Sequence, residues 1–208
     1  MARSIVQVPP NSTGGKLTHR KQTVGADDLL EQGTFFMGLP TYRAISATLT
    51  PAANKYHIII RNDSGSNQTV YLLGLWYYTG VAAVTGVINE YRWQRQTYGT
   101  PAGGAAITPN PHNSADPVLA GVTCYGGATS GVGADGVIQR LLNVSSEEHT
   151  ATVADIDRLL EDCNKLPLAG PWSRPMALRP GEAAAVKQIG AGTVGAIMWA
   201  LEFSVEAD

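Results

Sequence analysis

The residues best suited to chemistry in this 208-residue chain are its histidines and cysteines. The four histidines are isolated from one another: His19, His57, His112 and His149. A helical zinc site needs two histidines within about one turn, so we expect surface or satisfied core histidines and no metal site. Cys124 lies in an apolar run and Cys163 on the apolar face of a predicted helix, so both are predicted to be buried thiols.

A glycine-rich stretch at residues 131–136 matches the spacing of a dinucleotide-binding loop. Such a loop functions between a strand and a helix, because the helix N-terminus binds the pyrophosphate. The residues that follow, 137–142, have the composition of a strand instead. The stretch therefore predicts a connection between two strands and no nucleotide cofactor.

Three pairs of adjacent acidic residues occur at 27–28, 147–148 and 161–162. Neighbouring side chains point apart on a strand and are splayed on a helix, so no pair forms a general acid and base by itself. The chain also lacks the glycine-flanked serine of the hydrolases and a phosphate-binding loop that ends in lysine. We expect no catalytic residue and no cofactor, and predict that the chain is not an enzyme.

The composition describes a folded, turn-rich and weakly charged chain. Glycine and proline contribute 23 and 12 residues, 44% of the residues are hydrophobic, and only 15% are charged. The net charge is -2 and the basic residues are scattered, which argues against nucleic-acid binding. No apolar run approaches the ~18 residues of a membrane span, and the first residues lack a secretory pattern. We predict no membrane association and folding in a cytoplasm.

Residues from 34 onward alternate between apolar and polar in short runs that turn signals separate. Residues 197–205 alternate most regularly, which predicts that the odd positions are buried. Residues 152–164 instead space their apolar positions like one amphipathic helix. We predict a mainly β protein, an antiparallel β-sandwich or jelly roll of about eight strands with this single helix.

The first residues are polar, and residues 9–15 form a run of residues that break regular structure. A short helical turn is predicted at 26–32. We interpret residues 1–33 as an extended N-terminal arm and residues 34–208 as the β-sandwich domain. An arm of this kind suits contacts between neighbouring subunits, because polar segments can become ordered on binding.

The segment 68–78 is apolar on both faces, which predicts that both faces are covered. A central place in the sandwich or a subunit interface would cover them. We take five of its residues as candidate oligomer or shell contacts: Tyr71, Leu73, Leu75, Tyr77 and Tyr78.

Aromatic residues also mark the segment 87–98, where alternation points Tyr91 and Trp93 inward. The opposite positions predict an outward polar ladder: Glu90, Arg92, Gln94 and Gln96. Trp76 and Trp93, with the two tyrosines at 77 and 78, are a conceivable sugar-stacking platform. Packing in a core or an interface is the interpretation that we favour.

Two stretches have a distinctive composition: 103–117 begins Gly-Gly-Ala-Ala-Ile-Thr-Pro and ends Asp-Pro, and 178–183 reads Leu-Arg-Pro-Gly-Glu-Ala. Together with the order of the segments, these stretches resemble virion structural proteins of tailed bacteriophages. The resemblance covers roughly residues 40–206. It implies a non-enzymatic capsid decoration or cement subunit that forms a homo-oligomer, for example a trimer. Such a subunit binds the major capsid protein lattice or other virion proteins, and enters the virion during assembly in the host cytoplasm.

Other functions stay open at this point. A tail or fibre subunit would bind host glycan through exposed aromatic residues. A β-sandwich glycan hydrolase or lyase would need paired carboxylates that converge in a cleft. A lectin-like module unrelated to virions is the remaining alternative.

Overall fold

The computed structural model describes residues 19–24, 27–32, 39–79, 87–130, 133–146, 164–167, 175–190 and 196–207. Within these residues the chain contains fourteen strands and no helix. The chain divides into two compact units, residues 1–38 and 39–208. In the first unit, β1 (His19–Val24) and β2 (Asp27–Gln32) pair as an antiparallel hairpin.

The second unit is a sandwich of two antiparallel sheets. The first sheet has the order β11–β5–β14–β3–β8, and the short β12 also pairs with β5. Its strands are β3 (Thr41–Ile45), β5 (Gln68–Thr79), β8 (Asn110–Pro111), β11 (Asn164–Pro167), β12 (Met176–Leu178) and β14 (Ile197–Ala207).

The second sheet has six strands in the order β10–β6–β13–β4–β9–β7. They are β4 (Tyr56–Asn62), β6 (Val87–Thr97), β7 (Ala105–Ile107), β9 (Val122–Ala128), β10 (Asp135–Ser146) and β13 (Glu182–Gln188). Consecutive strands often lie in different sheets, so the core joins residues that are distant in the sequence.

The main core lies between the two sheets and is rich in aromatic residues. Tyr91 and Trp93 on β6 are 0% and 2% exposed, so the prediction that they point inward is confirmed. Tyr91 meets the buried Trp199 of β14 edge-on, with 5.1 Å between the ring centroids. The odd positions of β14 from 197 to 205 are all buried, as predicted: Ile197, Trp199, Leu201, Phe203 and Val205.

The predicted mainly β class and two-sheet sandwich are confirmed. The count of about eight strands is too low for the described residues, because short strands such as β8 and β11 carry no clear alternation. The helical turn predicted at 26–32 is wrong, since β2 occupies residues 27–32. The helix predicted at 152–164 lies outside the described residues except for Asn164, which begins β11.

Candidate interaction surface

The structure distributes the five predicted contact residues of β5 between the core and the outside. Leu75 is 0% exposed and lies in the core. Tyr77 is half-buried, with its ring centroid 5.6 Å from that of Trp199. Leu73 is the extra residue of a β-bulge against β14 and is half-buried. The bulge shifts the alternation of β5 by one residue, so that Leu72 before it and Leu75 after it both point into the core. This shift contributes to the apolar character of both faces in the segment 68–78.

Tyr71 and Tyr78 lie on the outer face of the first sheet and are half-buried. The Tyr71 hydroxyl donates a 2.7 Å hydrogen bond to the Glu206 carboxylate. A partner at Tyr71, Leu73 or Tyr78 stays a prediction.

The tryptophans considered for sugar stacking are covered. Trp76 is 8% exposed, and the Arg43 guanidinium lies over its ring, 5.0 Å from the centroid. Gly74 makes room for this ring, because a Cβ there would lie 2.9 Å from a Trp76 ring carbon. Trp93 is in the core. Packing, the interpretation that we favoured, is therefore confirmed for these two residues.

On the outer face of the second sheet, the Asp135 carboxylate accepts three hydrogen bonds. The Tyr56 hydroxyl and the Gln96 amide donate to Oδ1 at 3.0 and 3.1 Å, and Lys187 Nζ donates to Oδ2 at 2.6 Å. The Lys187 ammonium also lies 5.1 Å from the centroid of the Tyr56 ring. We call these four residues the Asp135 cluster.

The register of the strands explains how the Asp135 cluster covers the sheet. Asp135 pairs with Gln96 of β6, whereas Lys187 pairs with Arg92, four residues earlier on the same strand. The Lys187 side chain must therefore run along the face to reach Asp135. Ala185 and Gln94 lie between these positions and are only 0% and 1% exposed. The small alanine leaves the space in which the longer side chains lie.

The cluster holds its two charges in their ionised forms. Burial favours a higher pKa for Asp135, but the hydrogen bonds from Lys187, Gln96 and Tyr56 outweigh it, so the pKa is lowered. Burial likewise favours a lower pKa for Lys187, and the contacts with Asp135 and Tyr56 outweigh it, so that pKa is raised. The cluster thus fixes β10 to β4 and β13 by charge-assisted hydrogen bonds.

The polar ladder predicted for β6 lies on the outer face of the sheet, but two of its four members are covered there. Gln94 and Gln96 are 1% and 5% exposed, because the cluster covers them. Glu90 and Arg92 are half-buried and form an ion pair at 3.6 Å. The one sequence signal for a covered outer face was the alanine run 183–185, which is unusually small for a strand.

A second group, the Arg61 stack, orders another part of the same face. The Arg61 guanidinium lies 4.2 Å from the centroid of the Tyr98 ring and 5.7 Å from that of Tyr125. Asp63 accepts a 2.6 Å hydrogen bond from the Tyr98 hydroxyl and lies 3.8 Å from Arg61 Nη2. Arg61 is 7% exposed whereas Tyr98 is 38% exposed, so the stack presents Tyr98 to the outside.

Apolar side chains continue this face onto β10. Ile138 and Leu141 pair with Gln94 and Arg92 of β6, and are 44% and 61% exposed. The surface composed of the Asp135 cluster, the Arg61 stack, Ile138 and Leu141 is named the sheet-two face below. It combines internally paired charges with exposed aromatic and aliphatic side chains.

The glycine-rich stretch, the cysteines and the histidines form no candidate active site in the part of the chain that the structure describes. Residues 135–146 form a strand, so the glycine-rich stretch does not open a helix. Cys124 is buried, which raises the pKa of its thiol, and Cys163 lies outside the described residues. His57 is buried in the core, and His112 lies 3.6 Å from Glu202 on the surface.

Two findings concern whole classes of site. No group of histidine, cysteine and acidic side chains in the described ranges is arranged to hold a metal ion. The described residues also include no helix with the length and apolar character that a membrane span requires.

We find no family model, no curated protein and no solved structure that matches the chain.

Proposed function

We propose that the chain is a non-enzymatic structural subunit of a virion, which decorates or cements a capsid by binding its protein lattice through the sheet-two face. The observation that carries this proposal is that two side-chain networks, the Asp135 cluster and the Arg61 stack, hold this face in one arrangement. The resemblance of residues 40–206 to tailed-phage virion proteins supports the same class.

A pre-ordered face suits a subunit that must bind many identical sites. Side chains that are already fixed lose little further entropy on binding, which costs ~0.5–1.5 kcal/mol for each newly immobilised side chain. The charges are paired within the face, so a partner does not have to neutralise them. Tyr98, Ile138 and Leu141 provide the apolar and aromatic contact area that protein interfaces use.

The decisive experiment measures binding of the purified chain to capsid shells that were assembled without it, together with direct imaging of the particle. We expect the wild-type chain to cosediment with shells and to appear on the head. Tyr98→Ala and Ile138→Ser should each weaken shell binding at least about tenfold. Val118→Ala changes a loop residue that is 94% exposed, so it serves as the matched control and should bind normally.

The tail or fibre alternative gives a different result in the same series. Binding to a glycan array that Tyr98→Ala abolishes, with the protein imaged on the tail, would contradict the decoration assignment. Hydrolysis or cleavage of a glycan would favour the enzyme alternative.

We further propose that the sandwich is a jelly roll, and that residues 1–33 form an N-terminal arm that contacts neighbouring subunits. We expect deletion of the arm to reduce occupancy on shells, because the arm would contact neighbouring subunits. Undiminished occupancy of the deletion variant would refute this role of the arm, and the proposed role of the sheet-two face would be unaffected.

A further inference from the structure

Arg61 is a buried arginine whose hydrogen-bond donors are unused. It is 7% exposed, yet its guanidinium makes no hydrogen bond to any described residue, and Nε is fully covered without a partner. Asp63 Oδ1 lies 3.8 Å from Nη2, which is beyond hydrogen-bond distance. Arg95 shows the usual arrangement, since its guanidinium donates to Glu182 at 3.1 Å and to the Ala177 carbonyl at 2.9 Å. Buried charged groups normally form such bonds, so the unused donors of Arg61 point to a partner outside the described residues.

The aromatic neighbours of Arg61 hold these donors in place. The centroids of the Tyr98 and Tyr125 rings lie 4.2 and 5.7 Å from the guanidinium carbon. Contact with aromatic rings fixes the direction of a guanidinium, because the planar group lies over them. Since Nε is covered, the two terminal nitrogens are the atoms through which Arg61 can reach a partner.

An unused acceptor lies beside these donors. Asp63 Oδ1 accepts the 2.6 Å hydrogen bond from the Tyr98 hydroxyl, whereas Oδ2 makes no hydrogen bond to a described residue. The Asp63 side chain is 36% exposed, so a partner can approach its carboxylate. Arg61 and Asp63 have opposite charges and together carry no net charge. The Arg61 stack therefore offers a donor and an acceptor to one neutral group.

We propose that the Arg61 stack binds an uncharged amide of the partner protein, either an asparagine or glutamine side chain or a main-chain peptide group. The amide carbonyl accepts a hydrogen bond from Arg61, and the amide N–H donates one to Asp63. A carboxylate in this place would face Asp63, and an ammonium would face Arg61. Like charges that meet in an interface cost binding energy, so charge complementarity favours the neutral group.

The hydroxyl groups of a glycan could form the same two hydrogen bonds. Ile138 and Leu141 favour a protein, because these exposed aliphatic side chains on the same face provide apolar area of the kind that protein interfaces bury. This inference rests on the proposed function and names the chemical group that the bound lattice presents to the sheet-two face.

The first test is the substitution Arg61→Lys, which keeps the charge beside Asp63 but loses the planar set of donors. We expect its affinity for capsid shells to fall at least about tenfold. The fall should be equal at low and high salt, because salt does not screen a contact with a neutral group. Arg179→Lys is the matched control, at an exposed arginine, and should bind normally. Circular dichroism and denaturant unfolding check that both variants fold.

Wild-type affinity of Arg61→Lys would overturn the proposal. A loss of affinity that appears at low salt and vanishes at high salt would also overturn it, because this result indicates a carboxylate on the partner.

The second test needs neither shells nor a variant, so it also applies if Arg61→Lys does not fold. It follows the Nε–H signal of Arg61 by nuclear magnetic resonance while acetamide, acetate or methyl glucoside is added to the wild-type chain. Acetamide and acetate have nearly the same shape, so they separate a neutral amide from a carboxylate. We expect acetamide to shift the signal more than the other two compounds do. No shift with acetamide, or a larger shift with acetate or methyl glucoside, would overturn the proposal.

The two tests separate this inference from the proposed function. A wild-type chain that does not bind shells, but whose Arg61 signal responds to acetamide, would refute the virion role and leave the amide site standing. Shell binding that Arg61→Lys does not weaken would refute the amide site and leave the virion role standing.

Discussion

His57 is a buried histidine whose surroundings favour the neutral ring. It is 0% exposed and meets Tyr91 edge-on, with 5.0 Å between the ring centroids. Its Nε2 lies 3.0 Å from the Gln188 side-chain oxygen, which also accepts a 2.7 Å hydrogen bond from the Ala52 amide. That oxygen can only accept, so His57 Nε2 donates to it. Burial, more than this bond, determines its charge and lowers the pKa to about 4.

A stability loss in mild acid follows from His57. Its pKa is lower in the folded chain than the ordinary value of 6.5, so the unfolded chain binds a proton first as pH falls. The contribution of His57 to the free energy of unfolding should be complete above pH 6.5 and decline by about 3 kcal/mol down to pH 4, then level off. Denaturant unfolding at a series of pH values measures it.

The His57→Gln variant, which stays neutral, should lack this part of the pH dependence. His112→Gln, at a surface histidine, should retain it. Equal slopes for wild type and His57→Gln between pH 6.5 and 4 would show that His57 does not titrate there.

The Asp135 carboxylate accepts three hydrogen bonds, but we expect it to stabilise the fold only modestly. Its side chain is 44% exposed, so solvent screens the ion pair with Lys187. We expect Asp135→Ala to lower the free energy of unfolding by about 1 kcal/mol near neutral pH. This difference should shrink in acid, as the pH falls through the lowered pKa of Asp135. Glu90→Gln, which breaks the surface pair with Arg92, should change the free energy of unfolding by less than about 0.5 kcal/mol.

At the scale of the elements, β13 must carry small residues where the Asp135 cluster covers it. Ala185 is 0% exposed and packs with Tyr56 and Ile59 on the outer side of the sheet. Ala185→Leu should therefore destabilise the chain by about 1–3 kcal/mol through overpacking. Ala106→Leu, at an exposed position of β7, should change stability by less than about 0.5 kcal/mol. Thermal or denaturant unfolding of both variants provides the comparison.

Alternation predicted the burial of some strands and not of others, for identifiable reasons. β14 lies between β5 and β3 with one face in the core, so the odd positions from 197 to 205 are buried as the alternation predicts. In β6 the alternation gave the directions of the side chains but not the exposure of Gln94 and Gln96, because side chains from β4, β10 and β13 cover its outer face. A cover of this kind depends on residues far away in sequence, which no local pattern contains.

The Asp135 cluster illustrates the same limit at the scale of the whole molecule. Its members come from residues 56, 96, 135 and 187, and only the strand order of the second sheet brings them together. The sequence predicted the class of fold, the sandwich and several strand boundaries, since these follow from local periodicity. It could not predict the order of the strands in each sheet, so the sheet-two face was not predictable from it.

The whole sandwich depends on its last strand. β14 occupies the middle of the first sheet and contributes five buried core residues. A chain that ends at residue 195 should therefore lack cooperative unfolding and resist proteolysis poorly. Removal of residues 207 and 208 alone, where Ala207 is exposed, is the control and should leave both properties unchanged. A cooperative unfolding transition in the chain that ends at residue 195 would contradict this dependence.

The central position of β14 also constrains how the protein is made. The strands on either side of it, β3 and β5, leave the ribosome long before β14 does, so they lack their shared partner until residues 197–207 have been synthesised. The first sheet can therefore be completed only after β14 has been translated, by non-local pairing that is intrinsically slow. We expect newly made chains to depend on chaperones during this interval, and slower translation of codons 197–207 to increase aggregation.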